Sequence, residues 1–238
     1  MTARATAERA LLVAETFGPT FQGEGPSCGQ QALFLRLSRC NLSCPACDTP
    51  YTWDRSRFDL REHTTRMSGQ AIIEWALAHP TNLVVVTGGE PLLQQDLLLP
   101  VVTALAGAGR RVEVETNATV APVPAFVEQV GAFNVSPKLV GFASSADAAR
   151  RINPAALSVL VASGRAVFKF VAASVGDLDE IADLQARFGL DPVWVMPEGT
   201  SGDVVLARLR ELAEEVLPRG WHLTSRLHVL LWGDTRGR

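Results

Sequence analysis

Three cysteines crowd one short segment, Arg39-Cys40-Asn41-Leu42-Ser43-Cys44-Pro45-Ala46-Cys47-Asp48-Thr49. Thiolates at this spacing can converge on zinc or on an iron–sulfur cluster. A closed zinc tetrahedron wants a fourth ligand. His63 lies sixteen residues beyond Cys47, and Cys28 twelve residues before Cys40. A four-iron cluster held by three cysteines leaves one iron open to an external ligand. The remaining reading is three unrelated core thiols, which a chain with only four cysteines makes hard to sustain.

A second grouping is Thr87-Gly88-Gly89-Glu90-Pro91. A glycine pair between strand and helix resembles an anion-binding turn. No lysine follows it, however, and Glu90 would repel a phosphate. A carboxylate among backbone carbonyls suits an ammonium group, and an ordinary strand-to-helix turn is the alternative. Arg36 is a third oddity, a guanidinium inside the apolar run Ala32–Leu37. Such a group calls for an anion: an internal carboxylate, solvent on an outer face, or a ligand.

The elements that position these residues alternate in type. Strand-like runs are Leu11–Thr16, Ala32–Leu37, Asn82–Thr87, Arg111–Glu115, Phe133–Val135, Ala166–Val171, Val193–Met196 and Leu227–Leu231. Two of them, around Val84 and Phe168, read as continuously apolar and therefore buried on both faces. Helical patterns cover Ser68–Ala78, Leu92–Ala106, Val175–Phe188 and Asp203–Val216. Alternation of this kind predicts an α/β fold with parallel strands and right-handed crossovers. We expect a partial or distorted (β/α) barrel forming a single domain over residues 1–238. Ligands then sit at the C-terminal strand ends. Thr87-Gly88-Gly89-Glu90, Glu115-Thr116-Asn117 and Ser136-Pro137-Lys138 each follow a predicted strand and would share one rim.

A hydrophobic fraction of 47% with net charge −3 excludes disorder and argues against a nucleic-acid surface. No apolar stretch is long enough to span a membrane. The opening Met1-Thr2-Ala3-Arg4-Ala5-Thr6 lacks a signal core, so a cytoplasmic location is expected.

The cysteine segment followed by Gly-Gly-Glu-Pro resembles the radical S-adenosylmethionine enzymes. The resemblance implies that Cys40, Cys44 and Cys47 hold a [4Fe–4S] cluster whose open iron chelates S-adenosylmethionine. Gly88, Gly89 and Glu90 would receive the methionyl ammonium. One electron then cleaves the sulfonium, yielding a 5′-deoxyadenosyl radical. Narrower features are similar to the 7-carboxy-7-deazaguanine synthase family: Thr20-Phe21-Gln22-Gly23-Glu24-Gly25, Phe34-Leu35-Arg36-Leu37, Cys47-Asp48-Thr49, Glu115-Thr116-Asn117, Ser136-Pro137-Lys138 and Leu227-His228…Leu231-Trp232-Gly233. They run from about Glu15 to Gly233.

This resemblance implies conversion of 6-carboxy-5,6,7,8-tetrahydropterin to 7-carboxy-7-deazaguanine. Hydrogen abstraction at C6, ring contraction and loss of ammonia would feed queuosine and other deazapurine pathways. Arg36 would be the catalytic anchor of the substrate carboxylate. Phe21, Gln22, Gly23, Glu24, Thr87 and His228 would shape the pterin pocket. Ala46, Asp48, Thr116, Asn117, Ser136 and Lys138 would meet S-adenosylmethionine, and Thr49 would ligate Mg²⁺. An electron donor such as flavodoxin or ferredoxin is also implied, and covering the exposed sheet edges of an incomplete barrel leads us to expect a homodimer. Two rivals are another radical S-adenosylmethionine enzyme, such as a glycyl-radical activase, and a non-catalytic zinc module. Three residues depart from the family pattern: Ala46 replaces an aromatic, Ala118 a glycine and Arg39 a glycine. Cys28 is read as incidental, and Glu198 has no assigned role.

Overall fold

The structure is a computed structural model, and it describes residues 10–238. The reading made on Met1–Thr6 lies outside the described residues. In chain order the elements are β1 Leu11–Phe21, β2 Gln31–Leu37, β3 Thr65–Met67, α1 Gly69–Leu77, β4 Leu83–Gly88, α2 Gln95–Gly107, β5 Arg111–Thr116, α3 Pro124–Gln129, β6 Ala132–Val135, α4 Pro154–Ala162, β7 Ala166–Ala172, α5 Asp177–Phe188, β8 Val193–Pro197, α6 Gly202–Val216, β9 His222–Leu223 and α7 Leu227–Trp232. They build one sheet in the order β3-β1-β2-β4-β5-β6-β7-β8-β9. From β2 to β9 every neighbouring pair is parallel. At the other edge β1 runs antiparallel to both β2 and β3. The result is a mostly parallel, unclosed barrel, with a reversed edge that the alternation of elements did not announce.

Period-two alternation gives the sheet two different faces. Leu33, Leu35, Val84, Val86, Val112, Val114, Phe133, Val135, Phe168 and Phe170 join the helices in the main core. The opposite face starts apolar, with Phe34 and Val85 in a separate small cluster against Phe17. It then turns polar with Arg36, Thr87, Glu115, Asn134 and Lys169, all of which line one cavity. The run around Phe168 is therefore not apolar throughout. Lys169 points opposite to Phe168 and Phe170, and only 4% of it is exposed.

Three boundaries differ from the sequence reading. Leu227–Leu231 is helical, as part of α7, with Val229 buried and Leu231 half exposed. A short apolar run is ambiguous between strand and helix, and here the chain has left the sheet after β9. β1 continues through Gly18-Pro19 to Phe21 by slipping register between Phe17 and Thr20. Such bulges let a strand pass residues that normally end one. The start of the predicted Leu92–Ala106 helix is a tight turn, Pro91–Gln94, and α2 follows from Gln95. Neither α3 nor α4 was expected, although α4 opens on an Asn153 cap followed by Pro154.

Candidate active site

Parallel register brings the strand ends to a common level: Arg36 pairs with Thr87, Leu37 with Gly88, Thr116 with Val135 and Ala172 with Pro197. Above them opens a cavity of about 530 Å³. The thiol loop leaves β2 directly into its wall, and Cys40, Cys44 and Cys47 all line it. Of the residues given a ligand-binding or catalytic role from sequence, all but Glu90 line this cavity.

The joint between β4 and the thiol loop explains the two glycines. Gly89 N–H donates to Leu37 O at 3.0 Å, and Glu90 N–H to Arg39 O at 2.8 Å. A Cβ on Gly88 would collide with the Leu37 backbone, and one on Gly89 with the Arg39 carbonyl. Glycine is required because backbone lies on backbone here. Arg39 itself sits at φ 81°, in the left-handed region that its β-carbon disfavours. Ala118 is likewise at φ 59°. Both positions are those where glycine was the expected residue.

Glu90 does not face the cavity. Its carboxylate is fully buried and accepts from Leu92 N at 2.9 Å, Asn117 N at 2.8 Å and Thr116 Oγ1 at 2.8 Å. The residue thus locks the Gly-Gly turn to the end of β5. Buried outside the cavity lining and holding three protein donors, the carboxylate fits a positioning role for the turn. Burial still pushes its proton affinity up, against those three donors.

The thiol loop is pinned at Ser43. Ser43 donates to Asp147 from its backbone at 2.6 Å and from its hydroxyl at 2.8 Å. Donors also surround the sulfurs. Trp53 Nε1 lies 3.3 Å from Cys47 Sγ, Leu42 N 3.4 Å and Asn117 Nδ2 3.8 Å from Cys40 Sγ. Burial raises the Cys40 thiol to about 12. A thiolate there needs a positive partner, and iron would supply one. Cys28 and His63, the nearest candidates in sequence for a fourth zinc ligand, do not line the cavity. Cys28 Sγ instead donates to Gly23 O at 3.4 Å. Three thiols in a donor-rich wall, with no fourth cysteine among its described residues, fit a cluster with one free corner.

The opposite wall is ionic. Glu15 on β1 faces Arg36 on β2, and its Oε1 accepts from Arg36 Nε at 2.7 Å and from Tyr51 OH at 2.8 Å. Its Oε2 accepts from Arg236 Nε at 2.9 Å. Burial raises the Glu15 carboxyl, but these three donors outweigh it and hold it below its ordinary range. Arg36 thus has the internal carboxylate that its apolar strand demanded. Among the described residues its two terminal nitrogens have no partner, and the side chain lines the cavity. Glu24 is engaged as well: it pairs with Lys169 and, at 3.3 Å, with Arg226. These cations hold it strongly ionised despite its burial. A pterin edge would have to share this carboxylate with them. Gln22 Nε2 and Thr87 Oγ1 both donate to Glu115, at 3.1 and 2.7 Å. The His228 ring packs on Gly23, where a side chain would strike it. Burial draws the His228 proton affinity below its ordinary value, although Glu24 pulls the other way.

Comparison with known proteins decides the family. The pattern of the Radical SAM superfamily matches residues 35–156. A 7-carboxy-7-deazaguanine synthase of Pyrobaculum aerophilum is 34% identical, over 96% of this chain and 97% of that one. Its counterpart in Hyperthermus butylicus is 36% identical, over 93% and 92%. The chain belongs to the 7-carboxy-7-deazaguanine synthase family. It is therefore a radical S-adenosylmethionine enzyme. In fold it resembles the crystal structure of QueE from Escherichia coli, with a TM-score of 0.68 at 24% identity over 92% of this chain and 95% of that one. Streptococcus suis SuiB bound to its precursor peptide SuiA is more distant, with a TM-score of 0.55 at 14% identity over 81% and 48%. Among the described residues no helix of the enzyme is long and apolar enough to cross a membrane.

Sequence reasoning missed several residues of the enzyme's cavity. Glu115 was seen only as part of a motif, although it receives both Gln22 and Thr87. Lys169 was hidden between two phenylalanines, yet a lysine in a buried strand signals a carboxylate partner. Glu15, Tyr51, Arg226 and Arg236 carry no local pattern. Their roles arise from contacts between chain segments far apart in sequence.

Proposed function

We propose that the enzyme converts 6-carboxy-5,6,7,8-tetrahydropterin to 7-carboxy-7-deazaguanine with loss of ammonia, within queuosine and related deazapurine biosynthesis. The observation that carries this reading is Arg36: held by Nε on Glu15, it offers its remaining fork to a cavity that also contains the three thiols. A guanidinium fork matches a carboxylate in two parallel bonds. Cys40, Cys44 and Cys47 would hold a [4Fe–4S] cluster, which with S-adenosylmethionine supplies one-electron, hydrogen-abstracting chemistry. The chain's own residues bind and orient. Lys138 and Ser136, joined at 3.0 Å, offer polar contacts to the cofactor beside Gly88 and Gly89. Gln22 and Thr87, fixed on Glu115, line the substrate side.

Thr49 is the proposed Mg²⁺ ligand, since a hydroxyl suits a hard ion that keeps its waters. A rate indifferent to added Mg²⁺ would remove it. The single remaining cysteine, Cys28, cannot build a second cluster, which supports an external donor of the flavodoxin or ferredoxin type. Exposed strands at the β3 and β9 edges support a homodimer in the cytoplasm, and light scattering of a monomer would contradict that. The reaction itself is tested by anaerobic turnover of the reconstituted enzyme with 6-carboxytetrahydropterin. A product with the mass of 7-carboxy-7-deazaguanine is expected. Cofactor cleavage without it would overturn the assignment.

A further inference from the structure

On the reading of the reaction given above, we propose that Arg226 is a positioning residue that sets the thiol loop against the substrate loop and couples cofactor cleavage to product formation. Arg226 is 6% exposed, and every arm of its guanidinium is used. Nε donates to Glu24 Oε1 at 3.3 Å, Nη1 to Gly199 O at 2.7 Å, and Nη2 to the Asp48 carboxylate. The three partners come from three separate loops. Glu24 follows β1 in the proposed pterin wall, Gly199 follows β8, and Asp48 lies between Cys47 and Thr49. Glu24 is tied in turn to Lys169 on β7.

β2 joins the Glu24 loop to the thiol loop, but no backbone hydrogen bond ties Glu24, Asp48 or Gly199 to another of the three, so their final placement at the rim rests on side chains. A rigid fork of five donors can hold three acceptors at once, whereas a lysine ammonium acts from a single point. The Arg226–Glu24 pair lies away from solvent and is weakly screened, whereas the Asp48 side chain is 41% exposed, so removing the cation leaves Glu24 to Lys169 and frees Asp48. Hydrogen transfer needs reacting atoms at near-contact distance, and a misplacement of about 1 Å costs roughly 10²-fold in rate. Loosening this clamp would leave thiols, cofactor and substrate all present while spoiling the distance between the last two. Cleavage would go on; productive transfer would fail.

The test compares the reconstituted wild-type enzyme with Arg226→Gln, Arg226→Lys, Asp48→Asn and the double variant Arg226→Gln/Asp48→Asn. 5′-Deoxyadenosine and deazaguanine are quantified separately. Arg226→Gln should lower product per 5′-deoxyadenosine by about tenfold or more. Arg226→Lys should not restore it. Asp48→Asn should lower the ratio similarly, with the double variant no worse than the worse single one, because both act through one contact. Independently of turnover, amide hydrogen exchange around residues 46–49 of the full chain should rise about tenfold in Arg226→Gln. Retention of the wild-type ratio in Arg226→Gln or in Asp48→Asn would overturn the proposal, as would rescue by lysine. Should Arg226→Gln fail to fold, Arg226→Lys and Asp48→Asn decide alone. A wild-type enzyme that makes no deazaguanine refutes the functional reading instead, so the two failures are distinct.

Discussion

At Arg36 one nitrogen belongs to the fold and two belong to the cavity. Arg36→Lys keeps the charge but loses the fork, and a charge-assisted hydrogen bond contributes about 1.5–3 kcal/mol. KM for the pterin should therefore rise about 10- to 100-fold, while cofactor cleavage without substrate stays near the wild-type rate. An unchanged KM would place the carboxylate elsewhere. Arg39 makes the opposite kind of prediction. Its left-handed backbone costs roughly 1–2 kcal/mol in any residue with a β-carbon. Arg39→Gly should raise Tm by about 2–8 °C for a chain of this size, and calorimetry showing a fall would contradict the strain. His228 governs a pH effect. Burial lowers its folded proton affinity below that of the unfolded chain, so the unfolded state binds the proton first as pH falls. Its contribution to stability is complete above pH about 6.5 and is lost on the acid side as pH drops toward the folded value. His228→Asn should flatten the decline of Tm between about pH 7 and 5, and an unaltered slope would assign that decline to other groups.

Among the elements, the decisive joint is the one where β4 ends against the chain leaving β2. Gly89→Ala drives a methyl into the Arg39 carbonyl, and overpacking of this kind costs about 1–3 kcal/mol. Denaturant unfolding should show that loss, accompanied by poorer iron incorporation, because Cys40 follows Arg39 directly. Normal stability and full iron content would mean that the joint yields. This turn was readable in advance as to residues but not as to cause. Gly-Gly-Glu-Pro suggested a ligand contact, yet Glu90 faces Thr116, Asn117 and Leu92. Apart from α3 and α4, the strands and helices between Asn82 and Val216 were legible because buried parallel strands and amphipathic helices carry strong periodic signals. What stayed hidden depended on distant partners. β1 outlasts Gly18-Pro19 because β2 pairs with it, and α7 departs from the sheet despite its β-like run.

Over the whole molecule, the three thiols, the Arg36 fork and the Lys169–Glu24 pair surround one opening. The single-rim expectation for an α/β sheet therefore held, while the reversed edge strands and the arginine clamps were invisible in local pattern. The chain carries twenty arginines but two lysines, Lys138 and Lys169, and both lysines line the cavity. Its exterior thus offers no ε-amine at all. An amine-selective acylating dye, applied to the intact enzyme, should label Lys138 well before the buried Lys169, and cofactor should slow that labelling. Rapid acylation of Lys169 in the folded state would contradict its burial. The same scarcity leaves acetylation or ubiquitin-type conjugation no lysine to target without entering the catalytic chamber, so a cell tagging this protein by such chemistry would have to inactivate or unfold it first.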